Sequence, residues 1–440
     1  MGRVARSELP PGSHLPPAGQ TIALWASPFK YLERCHRRYG SHFTLRATSR
    51  PPLVFLSDLS DIQMTLTAPA NVLHPGKGAD TIESLVGDRS FMLSEEDEHL
   101  SGRRTILPSF HAKVVQQHAG LVAAVARREI SSWPVGVPFA LHPRLRALTL
   151  ETVLRTIVGA SGALADERLY VLRDCLLKML SVTASPVFPE PLLRHGAGRA
   201  IWRRFLCERA EVDELIYAII EDRCREDDLS GDLLGMLLAA RNTDGSRMTP
   251  RQVRDNLMSI VLAGHETTAA ELAWAFQLLA HNPRVLSKLI DEIDGDGGEE
   301  EYLTATIQEV LRHRPVFLFA IPRAVRQPIE IGGWSYRPPM QLLGCIYLVH
   351  HDPELYPGPQ EFRPERFLEC SPTTYTWLPW GGGRKRCPGV HLAMLEMKTV
   401  LRTVLATMTV RPAAKKIEHP RWRSVIVTPH AGSRVVLERR

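Results

Sequence analysis

The chain has 440 residues, of which 44% are apolar and 23% charged, with a formal charge of +6. That balance belongs to a globular protein with apolar surface enough for a large core, and it excludes a disordered, collagen-like or coiled-coil chain. Seven cysteines scattered without a C-x-x-C pair argue against a disulfide scaffold, an iron–sulfur cluster or structural zinc, and for a reducing compartment.

Residues 1–22 form a proline-rich lead-in without a long apolar run, so neither a signal peptide nor a membrane anchor is expected there. From about Ala23 the pattern predicts an amphipathic helix running to Tyr39. Phe43–Arg46 and Leu53–Leu56, split by Ser49-Arg50-Pro51-Pro52, read as a hairpin of a small sheet. In Glu98–Arg104, His99 and Arg103 stand four apart and share a helical face, although a histidine taken alone is by default a surface or capping residue. The middle of the chain is helical. Thr249 reads as an N-cap and Pro250 as the first residue of a long helix reaching about Ala280.

That helix carries Ala263-Gly264-His265-Glu266-Thr267-Thr268 at its centre. A glycine, an acid and two hydroxyls are costly choices inside a core helix. Glu266 and Thr267 place a carboxylate beside a hydroxyl, suited to relaying protons into a dry pocket. The bland alternative has Thr267 bonding a carbonyl one turn back and Glu266 solvated. Further on, Glu309 and Arg312 lie three apart on a helix and can pair. A second E-x-x-R, Glu418 to Arg421, contains Pro420 and is not expected to be helical. Phe317 and Phe319 alternate along an expected strand, as pocket wall or as core packing, and Arg323 follows them.

The most informative stretch is Pro379-Trp380-Gly381-Gly382-Gly383-Arg384-Lys385-Arg386-Cys387-Pro388-Gly389. Leu401, Val404, Leu405 and Met408 recur at helical spacing beyond it, so Cys387 stands close to a helix N-terminus. The helix dipole and three cationic neighbours favour a thiolate, and the glycines leave room for a flat ligand. A buried structural cysteine beside a flexible basic loop is the plain alternative. Two final runs, Ser424–Thr428 and Ser433–Leu437, read as a terminal hairpin.

The loop resembles the haem-ligand loop of the cytochromes P450, with Gly383, Cys387 and Gly389 in register. Trp380 stands where phenylalanine is usual and Lys385 where arginine is usual. The long helix is similar to that family's oxygen-activating helix, and Glu309, Arg312, then Pro364-Glu365-Arg366-Phe367, then the cysteine follow in the family's order. The resemblance spans essentially the whole chain and implies a single haem domain over 1–440 with a mainly α fold and a minor β-rich lobe. It implies haem b held by Cys387 through its iron, with His99, Arg103, Arg323 and Lys385 toward the propionates, and with Trp380, Gly383 and Gly389 shaping the loop. Glu309, Arg312 and Arg366 would form a buried ion triad bracing the cysteine loop, and Glu266 and Thr267 would deliver protons during oxygen activation.

The implied activity is a cytoplasmic, bacterial-type monooxygenase that inserts one oxygen atom of O2 into a C–H bond, or adds it to an alkene, of an apolar small molecule. Its pocket would be lined from Gly76–Phe91, Ser181–Pro191, Ile260–Ala263 and Val316–Ile321. Electrons would come from a separate acidic ferredoxin or flavodoxin docking on Arg384, Lys385 and Arg386. Nucleic acid is not an expected partner, because no recognition motif accompanies the positive charge. A haem-thiolate oxidase that couples phenols without oxygen insertion, and a non-catalytic haem sensor, are the competing readings.

Overall fold

A computed structural model describes residues 9–48, 50–75, 82–94, 102–158, 166–183, 198–225, 232–242, 244–295 and 300–440. Helices dominate, the longest, Pro250–His281, running for 32 residues. Among the described residues the strands are β1 (His42–Leu45), β2 (Leu53–Leu56), β3 (Leu73–His74), β4 (Phe139–Ala140), β5 (Arg323–Val325), β6 (Ile329–Ile331), β7 (Trp334–Tyr336), β8 (Gln341–Gly344), β9 (Met408–Pro412), β10 (Pro420–Arg423), β11 (Ile426–Pro429) and β12 (Arg434–Arg439). None exceeds six residues, so the chain is mainly α with minor sheets. No helix among the described residues is long and apolar enough to cross a membrane. The chain divides into two compact units.

The first unit comprises Met1–Asp80, Gln277–Cys387 and Lys416–Ala431. Its main sheet has the order β1-β2-β8-β5-β3. The predicted hairpin is present, with His42 opposite Leu56 and Leu45 opposite Leu53. On the other side β2 runs parallel to β8, Leu53 facing Gln341, so the pair is buried on both faces. Val54, Leu56, Ile62, Tyr336, Leu342 and Ile346 form its core. The single helix expected up to Tyr39 is two, Pro17–Ala26 and Pro28–Tyr39. Pro28 lacks the N–H that would continue the first and pushes Ser27 out of helical geometry.

Phe317 and Phe319 do not lie in a ladder. The Val316 carbonyl accepts from Val427, the Leu318 carbonyl from Tyr347, and Ala320 N–H donates to Gly344. Three different partners leave an extended run but no strand. The alternation survives: Val316, Leu318 and Ala320 are buried, while Phe317 and Phe319 are half-buried. Phe319 meets Phe55 edge-on at 5.7 Å and Trp422 at 6.3 Å, which is core packing within this unit. The terminal hairpin is also placed differently. β11 pairs with β10, Arg423 opposite Ile426, with Ser424 at φ 55 making the tight turn.

The second unit comprises Thr81–Phe276, Pro388–Lys415 and Gly432–Arg440. Here β12 pairs with β9 and β4 rather than with β11, in the order β4-β12-β9. Helices Ala119–Ser131, His142–Val158, Asp166–Thr183, Arg199–Cys224 and Val390–Leu405 pack with residues 250–276 of the long helix. Leu150, Val153, Leu154, Leu176, Phe205 and Val261 are central to the core they share. The long helix starts as expected. Thr249 Oγ1 accepts from Gln252 N–H at 3.2 Å and Gln252 Oε1 accepts from Thr249 N–H at 2.9 Å, a reciprocal capping box.

Candidate active site

Backbone geometry fixes the cysteine loop, which lies in the first unit. Cys387 N–H donates to the Trp380 carbonyl at 2.9 Å and Arg386 N–H to the Gly383 carbonyl at 3.2 Å. Gly381 and Gly383 both sit at positive φ, 66 and 63. Gly383 has a second reason to be glycine, because a Cβ there would lie 2.1 Å from the Leu66 carbonyl oxygen. The Cys387 thiol is half-buried. Trp380 is half-buried too and meets Trp377 edge-on at 6.5 Å, and the Trp377 indole N–H donates to the Gln308 carbonyl. Lys385 ends the 3-10 turn Gly383–Lys385, flanked by exposed Arg384 and Arg386. Gly389 is the N-cap of helix Val390–Leu405.

Behind this loop, also in the first unit, Glu309, Arg312 and Arg366 meet as the spacing and motif order anticipate. Arg312 Nε and Nη2 donate to the two Glu309 oxygens at 2.7 and 2.8 Å, and Arg366 Nε donates at 3.1 Å. Arg363 N–H adds a fourth bond at 2.9 Å. Arg312 also donates to the His350, Pro359 and Glu361 carbonyls, so every charge in the cluster is met. His350 is the part that sequence reading missed. Its Nε2 accepts Leu378 N–H at 2.8 Å, which ties the triad to the residue before the cysteine loop. Burial first, and Arg312 second, push His350 down to about 3, so it stays neutral and able to accept. No local pattern marks such a histidine in the sequence.

Arg323 opens β5 and is 4% exposed. It donates to the carbonyl of its own neighbour Ile321, and no carboxylate among the described residues pairs with it. Burial pulls it down to about 10. A buried guanidinium without a counter-charge is costly, and a ligand carboxylate is its natural complement.

In the second unit the long helix is buried from Val253 to Val261 and again from Thr268 to Phe276. Between these runs Ala263 is exposed and Gly264, Glu266 and Thr267 are half-buried. Gly264 abuts Val153 of the neighbouring helix, where a Cβ would stand 3.0 Å from a methyl. Thr267 Oγ1 donates to the Ala263 carbonyl at 2.7 Å. Glu266 is not a solvated acid. Arg146 Nε donates to its Oε2 at 2.5 Å, His265 Nε2 lies 3.3 Å from Oε2 and His142 Nε2 3.9 Å from Oε1. Arg146 lies 120 residues away and carries no sequence signal linking it to Glu266. Arg103 is half-buried in the helical stretch 102–106. His99 lies outside the described residues.

The chain's sequence matches the family model "Cytochrome P450" over residues 10–435. It belongs to the cytochrome P450 family. It is 36% identical over 443 residues to cytochrome P450 135B1 of Mycobacterium tuberculosis, covering 99% of this chain and 92% of that protein. It is 34% identical to cytochrome P450 137 of the same species, covering 95% and 87%. Two solved structures are similar in fold. Cyanobacterial CYP120A1 with retinoic acid bound gives a TM-score of 0.85 at 20% identity, with 99% of this chain and all of that one covered. A cytochrome P450DA haem domain gives 0.82 at 21% identity, with 100% and 99% covered.

As a cytochrome P450 the protein is a haem-thiolate monooxygenase that uses haem b, O2, a substrate and a redox partner. Its residues fit that cofactor. In the first unit the glycine-rich loop leaves a half-buried thiol that could take the iron, and buried Arg323 would suit a ligand carboxylate.

Proposed function

We propose that this P450, as one haem domain over 1–440, inserts an oxygen atom of O2 into a C–H bond, or adds it to an alkene, of an apolar small molecule. Bound haem supplies the oxygen-activating chemistry. Cys387 would hold its iron as the thiolate, with Arg323, Arg103, Lys385 and His99 toward its propionates and Trp380, Gly383 and Gly389 shaping the loop. The protein's own residues position the substrate, keep water out and move protons.

One observation carries this reading: the interruption of burial at Ala263–Thr267 in a helix sealed on both sides. A helix that merely filled a core would place no acid and no exposed alanine there. Thr267 spends its hydroxyl proton on the Ala263 carbonyl, so its oxygen is placed to accept a proton from a water or from Glu266 and to pass its own onward. Glu266, held by Arg146, takes up protons from the outside and returns to the guanidinium between turnovers. Leu262 and Ala263 present apolar surface along this stretch, which supports an apolar substrate.

The exposed guanidiniums of Arg384 and Arg386 support an acidic ferredoxin or flavodoxin as electron donor. No two of the seven cysteines are joined by a disulfide, which supports a cytoplasmic location. The test is spectroscopic. Purified protein is expected to show the thiolate-type ferrous–CO band, and Cys387→Ser is expected to lose it; persistence of that band in the variant moves the ligand elsewhere. Titration of the ferric protein with fatty acids, terpenes, steroids and phenolics should give a low-to-high-spin shift with one apolar class. A shift confined to phenolics, with coupled dimers and no oxygenated product, would replace oxygen insertion by coupling.

A further inference from the structure

His265 of the long helix is completely buried, yet it is not an apolar residue. Its Nδ1 lies 2.8 Å from the Val261 carbonyl one turn back. A carbonyl oxygen only accepts, so Nδ1 carries a hydrogen and the tautomer is settled. In a neutral ring the other nitrogen, Nε2, would then present a bare lone pair. That nitrogen is buried and has no hydrogen-bond partner among the described residues. Its nearest charged neighbour is Glu266, whose Oε2 stands 3.3 Å away.

A lone pair and a carboxylate oxygen repel at that distance unless a proton lies between them, and burial weakens the screening by water. The second partner of the same oxygen decides where the proton sits. Arg146 Nε donates to Oε2 at 2.5 Å, a charge-assisted bond that calls for an ionised acid and leaves the proton on Nε2. The other oxygen, Oε1, has His142 Nε2 at 3.9 Å. Among the described residues, His265 of the same helix and His142 and Arg146 of helix His142–Val158 face this carboxylate, all within the second unit. Thr149 Oγ1 of that neighbouring helix donates to the His265 carbonyl at 2.9 Å and fixes the two helices at this level.

We propose that His265 and Glu266 hold one proton in common, and that this proton unlocks Glu266 from Arg146. An ionised acid leaves a guanidinium only by separating two charges, whereas a neutral acid gives up a hydrogen bond. The N–H bond at Nε2 breaks, an O–H bond forms at Oε2, and the neutral acid turns toward Thr267, leaving a neutral ring behind. Once the proton has moved on, the carboxylate returns to Arg146. Nε2 then takes a proton from water reaching the partly exposed Glu266 side chain. His265 is thus a positioning residue that acts through Glu266. This rests on the reading that Glu266 delivers protons.

Holoprotein is compared with His265→Asn, whose amide keeps a donor for the Val261 carbonyl and cannot take the extra proton, with Glu266→Gln, and with the double variant His265→Asn with Arg146→Gln. The proton is read from infrared difference spectra of protein carrying isotope-labelled histidine. A doubly protonated ring is expected in the parent, and its band should vanish both in His265→Asn and in Glu266→Gln, because the carboxylate holds the proton there. Product per reducing equivalent should fall at least about tenfold in His265→Asn. Most of that loss should be recovered in the double variant, where no guanidinium charge holds the acid. Only a neutral Nδ1–H ring in the parent would overturn the shared proton. Unchanged coupling in His265→Asn, or a loss that Arg146→Gln leaves in place, would overturn the unlocking role. Absence of a thiolate-type spectrum in the parent would instead sink the functional reading, and the infrared arm would still report on the proton.

Discussion

Two helical carboxylates of this P450 are both bound by arginine, yet they live in opposite surroundings. Glu309 is fully buried, and its two oxygens take four donors from Arg312, Arg363 and Arg366. Glu266 has one close guanidinium, two more distant imidazoles, and a side chain left 15% exposed beside the opening at Ala263. A buried carboxylate held by four donors cannot change partner without leaving a charge unmet, so it serves as a joint. One held by a guanidinium beside an opening is suited, in the proposed mechanism, to take up and release a proton. The difference between the two is in the surroundings, since each began as a glutamate in a helix.

The largest test of this contrast is Glu309→Gln. Removing the charge that faces two buried guanidiniums is expected to cost about 3–5 kcal/mol, read by urea unfolding. A loss below about 1 kcal/mol would show that the cluster is not sealed.

Acid probes the same cluster from outside. Burial holds His313 and His350 down at about 3 and His351 well below its ordinary value, with Arg312 adding to each. Unfolded, these imidazoles take protons near pH 6.5, before the folded ones do. Stability is therefore complete above about pH 6.5 and falls toward pH 3, by about 1.4 kcal/mol per pH unit for each histidine kept neutral. Unfolding measured at pH 5 and at pH 7 should differ in that direction, and an acid-stabilised protein would contradict the buried placement.

Gly383→Ala is expected to cost at least about 2 kcal/mol, from positive φ and from the Leu66 carbonyl in the way. A distorted thiolate-type spectrum should accompany it. The smallest stability effect is expected for Glu266→Gln, about 1–2 kcal/mol, because that side chain is partly exposed and not fully buried. Its signature should be functional, with less product and more hydrogen peroxide per reducing equivalent. Unchanged coupling in both Glu266→Gln and Thr267→Ala would remove the proton relay from the mechanism.

Features set by short-range rules were legible in the chain itself. The Thr249 cap, the β1–β2 hairpin and the Glu309–Arg312 pair each need a handful of neighbouring residues. Their partners across the fold were not. Arg146 gives no sign of Glu266, nor His350 of Leu378, because such pairs form only when helices far apart in sequence pack. The helix break at Pro28 is written in the sequence, but the apolar pattern continues through it and hides the break. Phe317 and Phe319 alternate as a strand does, but alternation reports burial and not pairing, and their backbone neighbours bond to three separate segments. The terminal hairpin failed for a related reason. β11 and β12 are each good strands, and only the tight turn at Ser424 shows that β11 folds back on β10.

β12 is the middle strand of its sheet, and among the described residues it joins β4 near residue 140 to β9 near residue 410. On the ribosome β4 therefore waits for this partner until Arg434–Arg439 has been synthesised. Closure of this sheet must await β12, and ribosome-stalled chains lacking β12 should expose β4 and β9 to chaperones or proteases for the full length of the pause.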